Sequence, residues 1–140
     1  MISILIPCYD YNAYPLVSNI EKQALVLNIN FEIICIDDFS NSIIRTKNRV
    51  IKQFEHLKYI ELNENIGRSK IRNLFIDLSN YDSLLFLDCD CSIKDNFIFN
   101  YCKNIDKKVI YGGRKHHENK PDDENIFLRW KYGKKREDLT

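Results

Sequence analysis

At 140 residues the chain is long enough for one domain with one core. Its 44% hydrophobic and 29% charged content is ordinary for a globular protein, and a net charge of +1 excludes the basic surplus that binding to nucleic acid requires. No apolar run approaches the roughly 20 residues that span a bilayer, so no transmembrane segment is expected, and Ile2–Ile6 lacks the basic lead-in of a signal peptide. The five cysteines are odd in number and lack framework spacing, which reads as reduced thiols in a cytoplasmic setting. Cys8 and Cys35 suit small buried hydrophobes. Cys89 and Cys91 do not make the C-x2-C of a zinc site.

Ile2–Ile6 reads as a first strand, stopped by Pro7. Asn12 is placed to cap a helix running to about Leu27, with Leu16, Val17, Ile20, Ala24 and Leu27 on one face. Phe31–Ile36 is a second strand ended by Asp37 and Asp38. The pattern from Ser42 to Glu55 is helical, with Ile43, Ile44, Val50, Ile51 and Phe54 on one side. Tyr59–Leu62 is a third strand. A polar turn, Asn63–Gly67, leads into a helix over Arg68–Ser79, then come a strand over Ser83–Asp88, a helix over Lys94–Asn104 and a short strand over Lys108–Tyr111. Alternation of this kind predicts an α/β fold: a mostly parallel sheet, helices on both faces and right-handed crossovers. The first strand is expected at the centre, between the second and the fourth. Residues 1–113 form the expected α/β domain. Residues 114–140 form a polar, charged extension, with an apolar island at Ile126–Trp130 and with His116 and His117 exposed.

The apolar run Leu84–Leu87 reads as a strand buried on both faces, and it ends in Asp88-Cys89-Asp90. Open α/β sheets place ligands at the carboxyl ends of their strands. Alternate strand residues point the same way, so Asp88 and Asp90 can approach one hard cation, whose remaining positions phosphate oxygens and water would fill. A lone aspartate at a strand end is usually a turn or capping residue. Here two acidic pairs, Asp37-Asp38 and Asp88-x-Asp90, fall at the same sheet edge. Pro7, Cys8, Tyr9 and Asp10 follow the first strand, and Arg68, Lys70 and Arg72 open a helix where an anion is favoured. Carboxylates for a metal, cations for phosphate and an aromatic for a base make a coherent nucleotide site.

These motifs resemble family 2 glycosyltransferases. Ser3-Ile4-Leu5-Ile6-Pro7-Cys8-Tyr9 is similar to that family's opening strand, with Asp10 where Asn is usual. Glu32–Ser40 resembles its second strand and Asp-Asp-x-Ser turn, with Phe39 in place of the common Gly. Asn65-Ile66-Gly67-Arg68 through Asn73 resembles its Asn-x-Gly helix start. Asp88-Cys89-Asp90 resembles its metal-binding Asp-x-Asp, with Cys91 replacing a frequent third Asp, and Val109–Gly113 resembles the next strand. The resemblance covers residues 1–113. It implies the GT-A nucleotide-diphospho-sugar transferase fold. It also implies a nucleotide-sugar donor, a UDP-sugar above all, a glycan or lipid-linked acceptor in polysaccharide biosynthesis, and a divalent Mn or Mg ion. Pro7 and Tyr9 would lie by the nucleotide, Asp38 would hydrogen-bond the base, Arg68 or Arg72 would lie near the donor, and Asp88 and Asp90 would contact ribose and metal.

Fifty residues follow Asp90, fewer than the family's acceptor-binding half normally takes. The expectation is a truncated, donor-binding part. No general base is assignable, although Asp122, Asp123, Glu124, Glu137 and Asp138 lie downstream. Phe127 and Trp130 are expected to mark exposed apolar surface that favours a homodimer, and the setting is expected to be cytoplasmic, at the inner face of the membrane. Two alternatives remain: a nucleotide-binding fragment without transferase activity, and a haloacid-dehalogenase-type phosphohydrolase, whose Asp-x-Asp normally opens the domain. Neither G-x-G-x-x-G nor G-x4-G-K-[ST] occurs.

Overall fold

The computed structural model describes residues 1–106, 119–136 and 138. They fall in two units, Met1–Ile105 and Asp106–Thr140.

The first unit is built on β1 (Ile2–Cys8), β2 (Phe31–Asp37), β3 (Leu57–Glu61) and β4 (Leu84–Phe86). They form one sheet in the order β3-β2-β1-β4, with every pair parallel. The first strand is central among the four, as the motif order predicts. Helices α1 (Tyr14–Val26), α2 (Ser42–Asn48), α3 (Arg68–Leu78) and α4 (Phe97–Cys102) connect and cover the strands, and a 3-10 turn over Arg49–Gln53 continues α2. The strand expected at Lys108–Tyr111 and the boundary expected at residue 113 lie outside the described residues.

Side chains alternate across a strand, so each inner strand feeds two cores. On one face Ile4, Ile6, Ile33 and Cys35 pack with Leu16, Val17 and Ile20 of α1, Ile51 of the 3-10 turn and Ile98 of α4. On the other, Leu5, Ile34 and Ile36 pack with Ile71 and Phe75 of α3. Each of these aliphatic side chains contributes about 1.5–3 kcal/mol when fully buried.

Several local expectations need correction. Pro7 does not stop the first strand, which runs on to Cys8 and stays paired with β2 through Asp37, because the Pro7 ring costs a donor only on the side facing β4. Ala13, not Asn12, is the N-cap of α1, and Asn12 instead accepts the Tyr14 N–H at 3.1 Å. The continuous helix expected to Glu55 divides after Asn48, whose fully buried side chain accepts the Ala13 N–H (3.0 Å) and donates to the Tyr11 carbonyl (2.9 Å). A polar residue thus takes a core position there, while Ile43 and Val50 face solvent at 67% and 47% exposure. The strand expected from Ser83 to Asp88 pairs in register with β1 only over Leu84–Phe86. Nor is it buried on both faces: the half-exposed Phe86 meets Phe75 edge-on at 6.2 Å and carries the Arg72 guanidinium 5.8 Å from its ring centroid.

Pro7 helps to explain why the β1–β4 ladder stops. The Ser3 N–H donates to Ser83 and the Leu5 carbonyl accepts from Leu87, so odd positions of β1 face β4. Position 7 faces the same side and has no N–H to give. Pairing ends there, and a crevice can open between the carboxyl ends of β1 and β4.

In the second unit the described structure is α5 (Glu124–Arg136). Asp123 accepts the Asn125 N–H at 2.9 Å, and Lys134 pairs with Asp138 at 2.9 Å. Phe127 and Trp130, expected to be exposed, are half-buried and stack at 5.9 Å. The exposed apolar residues of α5 are Ile126, Leu128 and Tyr132. Among the described residues no helix is long and apolar enough to cross a membrane.

Candidate active site

The two acidic pairs sit at the carboxyl ends of β2 and β4. Asp37 is fully buried and heavily engaged. Its Oδ1 accepts the Ser40 N–H at 2.7 Å, its Oδ2 accepts the Tyr59 hydroxyl at 3.1 Å, and the Arg45 guanidinium lies at 3.4 Å. Burial, then the Asp37 charge, pushes the Tyr59 phenol up, so it stays a donor. Asp38 is also buried. Its two oxygens accept the N–H groups of Ile66 (2.7 Å) and Gly67 (3.0 Å), and its carbonyl accepts from the Asn65 amide (3.1 Å). Asp38 thereby holds the turn that starts α3. Gly67 has φ 82° and ψ 161°, a conformation essentially restricted to glycine, which is why the turn needs glycine there.

With its first turn fixed, α3 projects Arg68 and Arg72 from one face, four residues apart. Both reach Asp88, just beyond β4. Arg68 Nη2 donates to Oδ2 at 2.5 Å and Arg72 Nη2 to Oδ1 at 3.2 Å. The hydrogen bond from Arg68 to Asp88 holds that guanidinium still more firmly protonated. Asp90 is exposed, and among the described residues no hydrogen bond or salt bridge ties it down. Lys70 is exposed as well, on a different face of the helix from Arg68 and Arg72.

Beside the Asp38 turn, Tyr9, Asp10, Phe39, Ser40, Asn41, Ser42 and Arg45 line an open cavity of about 470 Å³. Its two loops are bonded to each other: Ser40 accepts the Asp10 N–H at 2.8 Å, and Asp10 accepts the Asn41 N–H at 2.7 Å. Asp10 and Phe39 both take positive φ, 48° and 67°. The Arg45 guanidinium lies 4.9 Å from the Phe39 ring centroid. Tyr9 is more than half exposed at the rim. Asn41 and Arg45 carry no motif of their own, and only the pairing of the two loops reveals them, while Asp10 already stood out in the cluster after the first strand. Phe39 had a signal in the sequence, an aromatic where a glycine is usual.

The thiols of Cys8, Cys35 and Cys89 lie in contact, with Cys8 meeting the other two. Contact with Cys35, with burial, pushes Cys8 up to about 12, and contact with Cys8 raises Cys89. Both are held as neutral thiols at neutral pH. Among the described residues no cluster of three His, Cys, Asp or Glu could enclose a metal. A free exposed carboxylate at Asp90 does fit an ion that takes most of its ligands from a bound diphosphate and water.

A parallel sheet with acidic and basic side chains gathered at its carboxyl edge has its polar groups where open α/β sheets take their ligands. The chain is a member of glycosyl transferase family 2, whose model matches residues 3–139. Among solved structures it is similar to S. aureus TarS 1–349 (23% identity, TM-score 0.62), covering 75% of this chain and 32% of that one. The same protein in complex with UDP-GlcNAc matches at 21% identity and TM-score 0.59, covering 87% and 38%. The mannosyltransferase PcManGT from Pyrobaculum calidifontis, in complex with GDP-Man and Mn2+, matches at 15% identity and TM-score 0.61, covering 92% and 37%. These neighbours establish the GT-A fold, and the chain spans about a third of the length of each. No curated protein sequence matches it.

Proposed function

We propose that this chain is the donor-binding part of a metal-dependent glycosyltransferase. It takes a nucleotide-diphosphate sugar, a UDP-sugar by preference, and serves transfer to a glycan or lipid-linked acceptor in polysaccharide biosynthesis. The observation that carries this reading is the set of Arg68, Arg72, Asp88 and Asp90 at the mouth of the β1–β4 crevice. Two cations and a free carboxylate there suit a diphosphate and its counter-ion. That TarS binds UDP and UDP-GlcNAc, and PcManGT GDP-Man with Mn2+, supports the donor class.

Tyr9 lies by the base at the rim of the aromatic cavity, and Pro7 keeps the crevice open. Each Asp38 oxygen accepts one backbone N–H and retains a lone pair for a base N–H. Asp90 holds a Mn or Mg ion, which when bound neutralises charge on the leaving diphosphate as a Lewis acid. Arg68 and Arg72 stabilise the same developing charge through their remaining donors. An inverting transfer also needs a carboxylate base at the acceptor hydroxyl. Asp123 caps α5 and Asp138 pairs with Lys134, so neither is a free base. The reduced thiols suit a cytoplasmic setting, and a lipid-linked acceptor would put the reaction at the inner face of the membrane. Ile126, Leu128 and Tyr132 on α5 offer apolar surface for a homodimer.

Calorimetric titration with UDP and with GDP, each with and without manganese, tests the reading. UDP binding strengthened by manganese is the expected result, and indifference to both nucleotides would reject the proposal. Assays of UDP-sugars against glycan acceptors should give slow donor hydrolysis at most. Efficient turnover would show that these residues include the base.

A further inference from the structure

We propose that Asn19 and Gln23 of α1 are positioning residues for Asp90, whose side-chain amides tether the stretch of chain that follows it to a rigid helix. That Asp90 takes a divalent ion rests on the function proposed above. The tether itself rests on hydrogen bonds. Residues 87–96, between β4 and α4, have no helix or strand of their own. Their near end is fixed where the Leu87 N–H meets the Leu5 carbonyl at 3.0 Å. A turn follows, in which the Cys91 N–H donates to the Asp88 carbonyl at 3.1 Å, and Asp90 stands on that turn.

The far end is met from α1. The Asn19 amide donates to the Ile93 carbonyl at 3.3 Å, and the Gln23 amide donates to the Lys94 carbonyl at 2.9 Å. Gln23 also donates to Asn19 Oδ1 at 3.0 Å and accepts the Ile98 N–H at 3.2 Å. Both N–H groups of the Gln23 amide and its carbonyl are thus engaged. Turned over, that amide would set oxygen against oxygen at Lys94 and Asn19, so the network admits one orientation. The Ile98 N–H belongs to the first turn of α4, where the N-cap residue Asn96 has φ 64° and makes no side-chain capping bond. Gln23 supplies that cap from another helix.

Amides on the flank of a helix commonly bond a neighbouring loop without further consequence. The place of this loop sets it apart. Asp90 is exposed, and among the described residues no hydrogen bond or ion pair holds its carboxylate, so its backbone alone places it. Ile93 lies three residues beyond Asp90. Fixing Ile93 and Lys94 therefore limits how far Asp90 can swing from the crevice. The support is firm, because Leu16, Val17, Ile20 and Ala24 of α1 are buried, and Asn19 and Gln23 lie one turn apart beside them. Groups that hold a metal-binding carboxylate in place govern affinity for the metal as well as structure.

The experiment titrates the 140-residue chain with UDP, in EDTA and in manganese. It compares wild type, Asn19→Leu, Gln23→Met and the double variant, which keep the side-chain bulk and lose the amides. Melting temperatures confirm that each variant folds, and hydrogen exchange follows the backbone N–H groups of residues 91–98. In the double variant the gain in UDP affinity that manganese brings should fall roughly tenfold or more. Binding in EDTA should be unchanged, and residues 91–98 should exchange faster. Gln23→Glu keeps an acceptor for the Ile98 N–H but turns a carboxylate on the Lys94 carbonyl, so it should lose the manganese gain as Gln23→Met does. Equal losses in EDTA and in manganese would overturn the proposal, because the pair would then only stabilise the fold. An unchanged manganese gain in the double variant, or a Gln23→Glu protein that binds like wild type, would overturn it too. A wild type that binds UDP no better with manganese would reject the metal site instead. Exchange then decides the tether, and unaltered exchange in the double variant would refute it.

Discussion

The ends of β2 and β4 carry the same kind of sequence signal, two carboxylates after an apolar run, and use it in opposite ways. At the β2 end both carboxylates are buried and tied into the fold, Asp37 by the Ser40 N–H, the Tyr59 phenol and the Arg45 guanidinium, Asp38 by the N–H groups of Ile66 and Gly67. At the β4 end, Asp88 is held by two solvent-facing arginines and Asp90 is exposed. Burial decides between them. A carboxylate out of water must be met by donors from the fold, so it becomes part of the architecture. One left at the surface keeps its charge available to a ligand.

The comparison breaks if the β2 pair proves dispensable for stability. Asp37→Ala should cost the most, about 3–5 kcal/mol, because it leaves the Tyr59 hydroxyl and the Ser40 N–H without their buried acceptor and the half-buried Arg45 guanidinium without its carboxylate. Urea unfolding measures this, and a loss below about 1 kcal/mol would place Asp37 with the surface groups. Gly67→Ala comes next, at roughly 1–3 kcal/mol, since φ 82° with ψ 161° is strained for any residue with a Cβ. No atom lies within 4 Å of the added methyl, so the whole cost is backbone strain. Asp90→Ala should shift stability by no more than about 0.5 kcal/mol. It should nonetheless weaken manganese-dependent UDP binding on the order of tenfold or more in calorimetry.

The smallest effect is a control away from the site. The hydrogen bond from Arg49 holds Glu61 below its ordinary 4.5. A depressed folded value means that its stabilisation is present above the unfolded value and lost as pH falls through the folded one. Melting temperatures of wild type and Glu61→Gln should therefore differ slightly at neutral pH. They should converge only as pH falls below the range in which an ordinary glutamate protonates. A gap that persists in acid would mean that Glu61 acts by packing rather than charge.

Much of this was legible in the order of residues. Apolar runs of strand length, separated by helical spacing, define the parallel α/β sheet, and the motif order puts β1 between β2 and β4. Asp38, Arg68, Asp88 and Asp90 stand out because polar residues at strand ends and helix starts have few other reasons to cluster. The sequence misleads where a pattern is locally ambiguous. Ile43 and Val50 fit a helical stripe, yet Asn48 takes the buried position, because bonds to Ala13 and Tyr11 outweigh apolar spacing there. The island at Phe127 and Trp130 looks exposed in isolation, yet those two rings stack on each other.

The sequence by itself determines the elements, their parallel order and the sheet edge where the chemistry gathers, because hydrophobic period and chain connectivity are local properties. Only tertiary structure decides which carboxylate serves which purpose. Whether an aspartate becomes a buried joint, an anchor for arginines or a free ligand depends on donors brought to it from far along the chain. Tyr59 and Arg45 come to Asp37, Gly67 to Asp38, and Arg68 and Arg72 to Asp88. Those partners lie 8 to 29 residues away, a separation that no local pattern records.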